Sequence, residues 1–337
     1  NFMIFKNLNS KVVLQLFHSK NQTATRDLRG LRNLRLNDVY ILEIDNIKNF
    51  FYSIYLLLFE SKDCEVEIFK SFGFKAFAIL LISRIHKVKV ILDISNIPIK
   101  PLFNYSNIYQ ILRFYMSIVL IKNCNQITVP TIELKTFLLT TRKLNFSNIK
   151  VIEDLCLPYW LEKKNRTNFY YRNEQKEKSS LINVMWFGKT GSNYEKSGIF
   201  ELLENIEDLK ICSERYPNIK LNILIDFDGI KTIKILNEII SELPRLKIEV
   251  IKWSWELQKD LVLDSDIIYL PCYPSIFNYC RSWGKLAFAS NFNENVICGD
   301  RPSYIRYINE NKSKNITNSS LNEWLEDNIQ FLIKDSI

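Results

Sequence analysis

Short apolar runs alternate with helix-length amphipathic segments along almost the whole chain, and the alternation breaks only once. Residues 12–17, 39–44, 64–69, 88–94, 126–129 and 149–152 read as strands. Segments 26–36, 47–59, 73–86, 105–122 and 131–140 between them carry apolar residues at helical spacing. Strands that are apolar at nearly every position are covered on both faces, which is the condition of a parallel sheet flanked by helices. The break comes at 161–180, where Lys163, Lys164, Arg166, Arg172, Lys176 and Lys178 crowd a stretch without apolar periodicity. Alternation then resumes, with strands at 181–187, 220–225, 246–253, 267–270 and 295–298, and helices at 194–206, 206–215, 231–241, 255–264 and 281–289. Helices at 304–311 and 321–333 close the chain. The pattern predicts an α/β chain of two Rossmann-like domains whose parallel sheets face a central cleft. Their expected bounds are 1–160 and 181–310, with an interdomain connection at 161–180 and a helical tail at 311–337.

A length of 337 residues suits two such domains. The formal charge of +8 permits an anionic partner without choosing one. A nucleic acid is not expected, because basic and aromatic residues do not interleave along one surface. The seven cysteines are scattered, with no C-x-x-C pair and no neighbouring histidine, so they read as reduced core thiols and no metal site is expected. The opening residues do not read as a signal peptide, and no apolar run reaches the roughly 20 residues that a membrane span requires. A cytoplasmic protein is expected, and 69–77 and 102–121, both apolar and basic, are candidates for contact with the inner face of a membrane.

Two stretches carry the chemistry. Cys280-Arg-Ser-Trp-Gly-Lys-Leu-Ala-Phe-Ala289 follows the strand 267–270 and a loop, so a helix starting near Arg281 would open at a strand's carboxyl end. Open α/β sheets bind ligands there. Arg281 and Lys285, four apart, would share one face of its first turn and add two cations to an N-terminus that already favours anions. The second stretch is Phe187-Gly-Lys-Thr-Gly-Ser-Asn-Tyr-Glu-Lys-Ser-Gly198, which holds three of the chain's eight glycines just after a strand. Glycines at such a loop let backbone approach a phosphate or sugar.

These blocks, in order, resemble the carboxyl-terminal domain of GT-B glycosyltransferases. Met185-Trp-Phe-Gly-Lys-Thr-Gly191 is similar to its opening strand and glycine loop. Trp253-Ser-Trp-Glu-Leu, Asp266-Ile-Ile-Tyr-Leu-Pro271 and Arg281-Ser-Trp-Gly-Lys-Leu resemble its later blocks, the last being similar to a Lys-Ser-x-Asn-Arg-Leu phosphate-binding block. Val296 to Tyr304 resembles the strand and loop before the closing helices, and Ile91 to Ser95 and Gln126 to Thr131 resemble blocks of the first domain. Gly284 stands in place of the family's Asn, and Phe288 stands where the second of two glutamates falls in many retaining members.

The resemblance implies a nucleotide-sugar donor as co-substrate, with no other cofactor and no metal. Arg281, Ser282 and Lys285 would hold its diphosphate, Gly188, Lys189, Gly191 and Ser192 would face the phosphates or the transferred sugar, and Trp253 would lie by the nucleobase. A glycan or lipid-linked acceptor and a role in cell-surface polysaccharide synthesis are implied with it. His18, after the first strand, and Asp93, at the end of another, are the candidate catalytic residues on the acceptor side. A nucleotide-sugar epimerase, or a GT-B domain that binds without turnover, would carry the same blocks.

Overall fold

The computed structural model describes residues 12–17, 39–43, 46–59, 64–69, 73–94, 97, 108–142, 144–153, 181–193, 195–227, 229–312 and 315–334. The chain divides into two compact units, Asn1–Pro158 and Tyr159–Ile337. The expected helix at 26–36, the connection at 161–180 and His18 lie outside the described residues.

The first unit is built on six parallel strands, β1 (Val12–Phe17), β2 (Val39–Glu43), β3 (Cys64–Phe69), β4 (Lys89–Asp93), β5 (Gln126–Val129) and β6 (Ile149–Val151). Their spatial order is β2-β1-β3-β4-β5-β6. Helices α1 (Ile47–Phe59), α2 (Phe74–Ile85), α3 (Ile108–Asn123) and α4 (Ile132–Arg142) make successive crossovers from β2 to β6. All four progress in one direction across the sheet, so right-handed crossovers place them on one face. Val66, Ile68, Val90, Leu92, Ile127 and Val129 are buried in the sheet's centre, and so are the intervening Glu65 and Glu67 of β3 and Ile91 of β4.

The second unit repeats the plan with β7 (Ile182–Lys189), β8 (Ile219–Asp226), β9 (Lys247–Lys252), β10 (Ile267–Leu270), β11 (Val296–Cys298) and β12 (Ile316–Asn318). The order is β12-β11-β10-β7-β8-β9, all parallel. The chain steps outward from β7 through β8 to β9, then returns to β10 on the other side of β7. The strand order reverses between β7 and β10, and the carboxyl ends of these two strands flank the crevice where doubly wound sheets take their ligands.

The helices are α5 (Ile199–Glu204), α6 (Ile206–Arg215), α7 (Gly229–Glu242), α8 (Trp255–Asp264), α9 (Ile276–Tyr279), α10 (Gly284–Phe292), α11 (Pro302–Glu310) and α12 (Leu321–Lys334). Residues 311–337, expected as a helical tail, supply a sheet strand as well as a helix: β12 pairs with β11 in parallel. Asp208 of α6 locks α12 in place. Its carboxylate accepts from the backbone N–H groups of Leu321 and Asn322 at 2.7 and 3.0 Å and from the Tyr269 hydroxyl at 2.9 Å. A negative charge at the start of α12 also complements the helix dipole.

Two expected helix starts move downstream. The helix expected over 194–206 begins only at Ile199, because residues 192 and 197 pair as an antiparallel bridge and turn the chain first. The helix expected from Arg281 begins at Gly284, with Trp283 as its first boundary residue.

Candidate functional site

The crevice at the strand reversal is bordered by the loop after β7, the loop after β10 and the loop after β11. Side chains stitch the first two together. Asn278, buried on α9, donates through Nδ2 to the carbonyls of Lys196 at 2.8 Å and Tyr273 at 3.1 Å, and the Ser275 hydroxyl donates to the Glu195 carbonyl at 3.1 Å. The third loop is close: a Cβ on Gly299 would lie 2.4 Å from the Cys272 amide nitrogen.

The glycines after β7 serve this compactness. Gly191 and Gly198 both have positive φ, 70° and 71°. A Cβ on Gly191 would lie 2.0 Å from the Ser197 carbonyl oxygen, and one on Gly198 would lie 2.4 Å from that of Lys189. The Ser192 N–H is spent on the Ser197 carbonyl, and the Gly191 carbonyl accepts from Lys231 Nζ at 2.9 Å. These two glycines therefore allow the loop to pack on itself. Gly191→Ala should cost about 1–3 kcal/mol of stability in denaturant unfolding, from the left-handed backbone alone, and more if the loop has to open. Gly188 has another neighbour. Its Cβ would meet the Trp186 ring at 2.8 Å and would stand 3.5 Å from Lys285 Nζ.

Two arginines meet one carboxylate in the crevice, and a lysine stands near them. Glu201, buried on α5, accepts from Arg301 Nη2 at 2.7 Å and lies 3.9 Å from Arg281 Nη1. Arg301, at the N-terminal boundary of α11, is itself 4% exposed. Its guanidinium lies 4.5 Å from the Tyr304 ring centroid, and its Nε has no hydrogen-bond partner among the described residues. Arg281 lies before α10 rather than in it, so the expected shared helical face with Lys285 does not form. Its guanidinium rests 5.6 Å from the Phe277 ring, and its carbonyl accepts from the Ser303 hydroxyl at 2.7 Å. The two cations still lie near one another, since the charges of Arg281, Arg301 and Glu201 all bear on the Lys285 ammonium.

Lys285 sits in the first turn of α10 with its ammonium 4.6 Å from the Trp186 ring centroid and 5.0 Å from that of Phe187. Burial pushes it down to about 7; Arg281 and Arg301 act in the same direction and Glu201 opposes them. An anion arriving here would meet a lysine whose protonation it favours. No side chain caps the N-terminus of α10, which leaves first-turn N–H groups for solvent or an anion. Ser282 stands beside Arg281 in the same approach to α10. Glu195 adds a carboxyl on the loop after β7. Burial raises it, while the Ser197 hydroxyl and the charges of Arg281 and Lys231 work against that rise. Burial pushes the Cys272 thiol up, away from the reactive thiolate form.

The other expected residues lie outside the charged cluster. Lys189 is exposed at the end of β7. Trp253 follows β9, the edge strand two places from β7, and donates through Nε1 to Gln258 at 2.7 Å. Asp93 is buried at the end of β4, where it accepts from the Thr128 hydroxyl at 2.9 Å and ties β4 to β5. Among the described residues no group of three His, Cys, Asp or Glu side chains is placed to hold a metal ion. Glu201, Arg301, Glu195 and Trp186 were not anticipated. The one signal for Glu201 is a carboxylate inside the apolar run Ile199-Phe-Glu-Leu-Leu203, and for Arg301 its position just past a strand end.

No family model matches the sequence, and no curated protein matches it either. Solved structures do match over nearly all of the chain. HepE from Anabaena, in complex with UDP and glucose, aligns at 12% identity with a TM-score of 0.63, covering 97% of this chain and 92% of its own. A glycosyltransferase from Rickettsia africae aligns at 16% identity and a TM-score of 0.57, covering 97% and 89%. UDP-GlcNAc 2-epimerase from Neisseria meningitidis, bound to UDP-GlcNAc, aligns at 15% and 0.54, covering 96% and 94%. At such identities the likeness speaks for the fold, and the fold of this chain is GT-B.

Proposed function

We propose that this chain is a glycosyltransferase that moves a sugar from a nucleoside diphosphate donor to a glycan or lipid-linked acceptor. The observation that supports it most is the excess of positive charge at the strand reversal of the second unit: Arg281, Arg301 and Lys285 against Glu201. A diphosphate supplies the missing negative charge. Arg281, with its planar fork, suits bidentate contact to a phosphate, and Lys285 with the α10 N-terminus suits the second phosphate. As the sugar leaves, charge grows on the nucleoside diphosphate, and cations fixed in advance stabilise it without reorganising. This is the role a divalent metal plays in other transferases, so we propose a metal-independent reaction. Trp253 is proposed at the nucleobase. UDP is the nucleotide we propose, from the UDP complexes of the structural neighbours.

Nucleotide-sugar turnover tests the reading. The purified chain, given UDP-glucose and UDP-GlcNAc with chelator present, should bind both in the micromolar-to-millimolar range typical of substrates and consume one of them only when an acceptor glycan or lipid is added. Conversion of UDP-GlcNAc to its epimer without acceptor would make the chain an epimerase, the activity in the name of one structural neighbour. Binding without turnover under every condition would leave a donor-binding protein. A chain that binds none of these nucleotides refutes the proposal.

A further inference from the structure

We infer that the outer surface of the α1–α2–α3 layer, on the first unit, docks the protein onto an anionic membrane. The inference rests on that surface alone and is independent of the donor site. A helix that covers a sheet normally buries one apolar stripe and turns a polar face to water. These three bury one apolar stripe and expose a second. In α3, Phe114, Leu120 and Ile121 face inward, while Ile108, Leu112, Tyr115 and Val119 are exposed. Their spacing of four, three and four residues makes a single line along the helix. Phe74, Leu81 and Ile85 repeat that line on α2, and Ile47, Phe51, Tyr55 and Phe59 do so on α1. Several are well exposed, Phe51 at 61%, Tyr109 at 63% and Ile85 at 76%. The helices lie on one face of the sheet by their crossovers, and α2 packs against both α1 and α3.

Charge selects the partner. The three helices contain no Asp or Glu, and their charged residues are Lys48, Lys75, Arg84, Arg113 and Lys122. An apolar surface meant for another soluble protein needs no such one-sided charge. Apolar side chains on helices whose own charges are all positive suit an interfacial contact with anionic lipid, the rings and aliphatic chains entering the headgroup boundary while the cations meet phosphate. None of the described helices is long and apolar enough to cross a membrane, so the contact is one of lying on the surface. A lipid-linked acceptor would then be met where it is anchored.

Vesicle flotation of the whole chain tests this. Wild-type protein should float with vesicles of phosphatidylcholine mixed with phosphatidylglycerol, float poorly with phosphatidylcholine alone, and be released by salt. Each cation near an anionic surface contributes about fivefold in affinity, equivalent to about 1 kcal/mol. Reversing two, Arg113→Glu with Lys122→Glu, should therefore reduce partitioning by roughly 20-fold or more. Leu112→Ser with Tyr115→Ser should reduce it at unchanged charge. Both pairs are exposed and lie outside the second unit, so far-UV circular dichroism and UDP affinity should be unaltered. Wild-type protein that stays in the soluble fraction with anionic vesicles overturns the inference, as does equal binding to both vesicle types. If the same variants instead abolish self-association of a protein that ignores vesicles, the surface belongs to a second copy and the membrane assignment is wrong.

Discussion

Lys285→Met is expected to make the free protein more stable while weakening UDP binding by about 10- to 100-fold, the loss typical of a hydrogen bond to a charged group, about 1.5–3 kcal/mol. Both effects have one cause. Lys285 Nζ is held over Trp186 and Phe187 on a half-buried side chain, and its desolvation lowers its pKa from 10.5 to about 7. Because the folded value lies below the unfolded one, the unfolded chain binds more protons between about pH 7 and 10.5, and stability rises with pH across that window. The destabilisation is fully present below about pH 7. Methionine keeps the length of the side chain and its contact with the rings without the charge, so the variant should gain about 1–3 kcal/mol near pH 7. The gain should shrink as pH rises toward 10.

Binding has the opposite dependence. A donor diphosphate needs the protonated ammonium, so affinity for UDP-glucose, whose diphosphate does not titrate near neutrality, should fall as pH rises above 7. In Lys285→Met that component should vanish. Calorimetric titration at several pH values, together with urea denaturation of the free proteins, measures both. An unchanged affinity with raised stability would mean that the lysine is a structural oddity and that the anion site lies elsewhere. Arg281→Lys, which retains the charge and loses the fork, should fall between wild type and a neutral variant.

The alternation of apolar runs and helices was enough to place every strand of both sheets except β12, because an apolar run between two helices has few other places to go. Helix starts were less legible, and the misplaced ones surround the site. The stretch 194–198 carries ordinary helix formers such as Glu195 and Lys196, but the chain turns there through Gly191, Lys196 and Gly198 in left-handed backbone, a decision made by the self-packing of the loop. Arg281 falls outside α10 because its carbonyl and side chain are committed to Ser303, Glu201 and Phe277. Sequence spacing therefore picked out two cations that lie near one another for a geometric reason that does not hold. The carboxylate that gathers them is 84 residues from Lys285, and Arg301 lies 100 residues from Glu201. No local pattern connects residues so far apart. Strand β12 was missed because Ile316–Asn318 is only three residues long and polar at its end.

The largest loss of stability should come from Glu201→Leu, which leaves Arg301 with no carboxylate in a site where it is 4% exposed. Breaking a buried ion pair from one side typically costs about 3–5 kcal/mol, because the remaining charge is uncompensated. Here the cost should be at the upper end: Arg281 adds its own repulsion to Arg301 once the carboxylate is gone, while Lys285, no longer supported by Glu201, sheds its proton near neutrality. Inorganic pyrophosphate or UDP should recover part of that stability in thermal unfolding, since an anion bound among the cations replaces the lost charge. The double variant Glu201→Leu with Arg301→Met removes both charges and should return most of the lost stability, as buried pairs exchanged for apolar residues of similar volume often do. It should not restore donor binding, because Arg281 loses the carboxylate that orients it and the site loses a cation. The four proteins form a thermodynamic cycle. Coupling near zero between Glu201 and Arg301 would show that the 2.7 Å contact contributes little and that Arg301 is held by its stacking on Tyr304. Strong coupling with nucleotide affinity unchanged in the double variant would separate the pair from the donor site altogether.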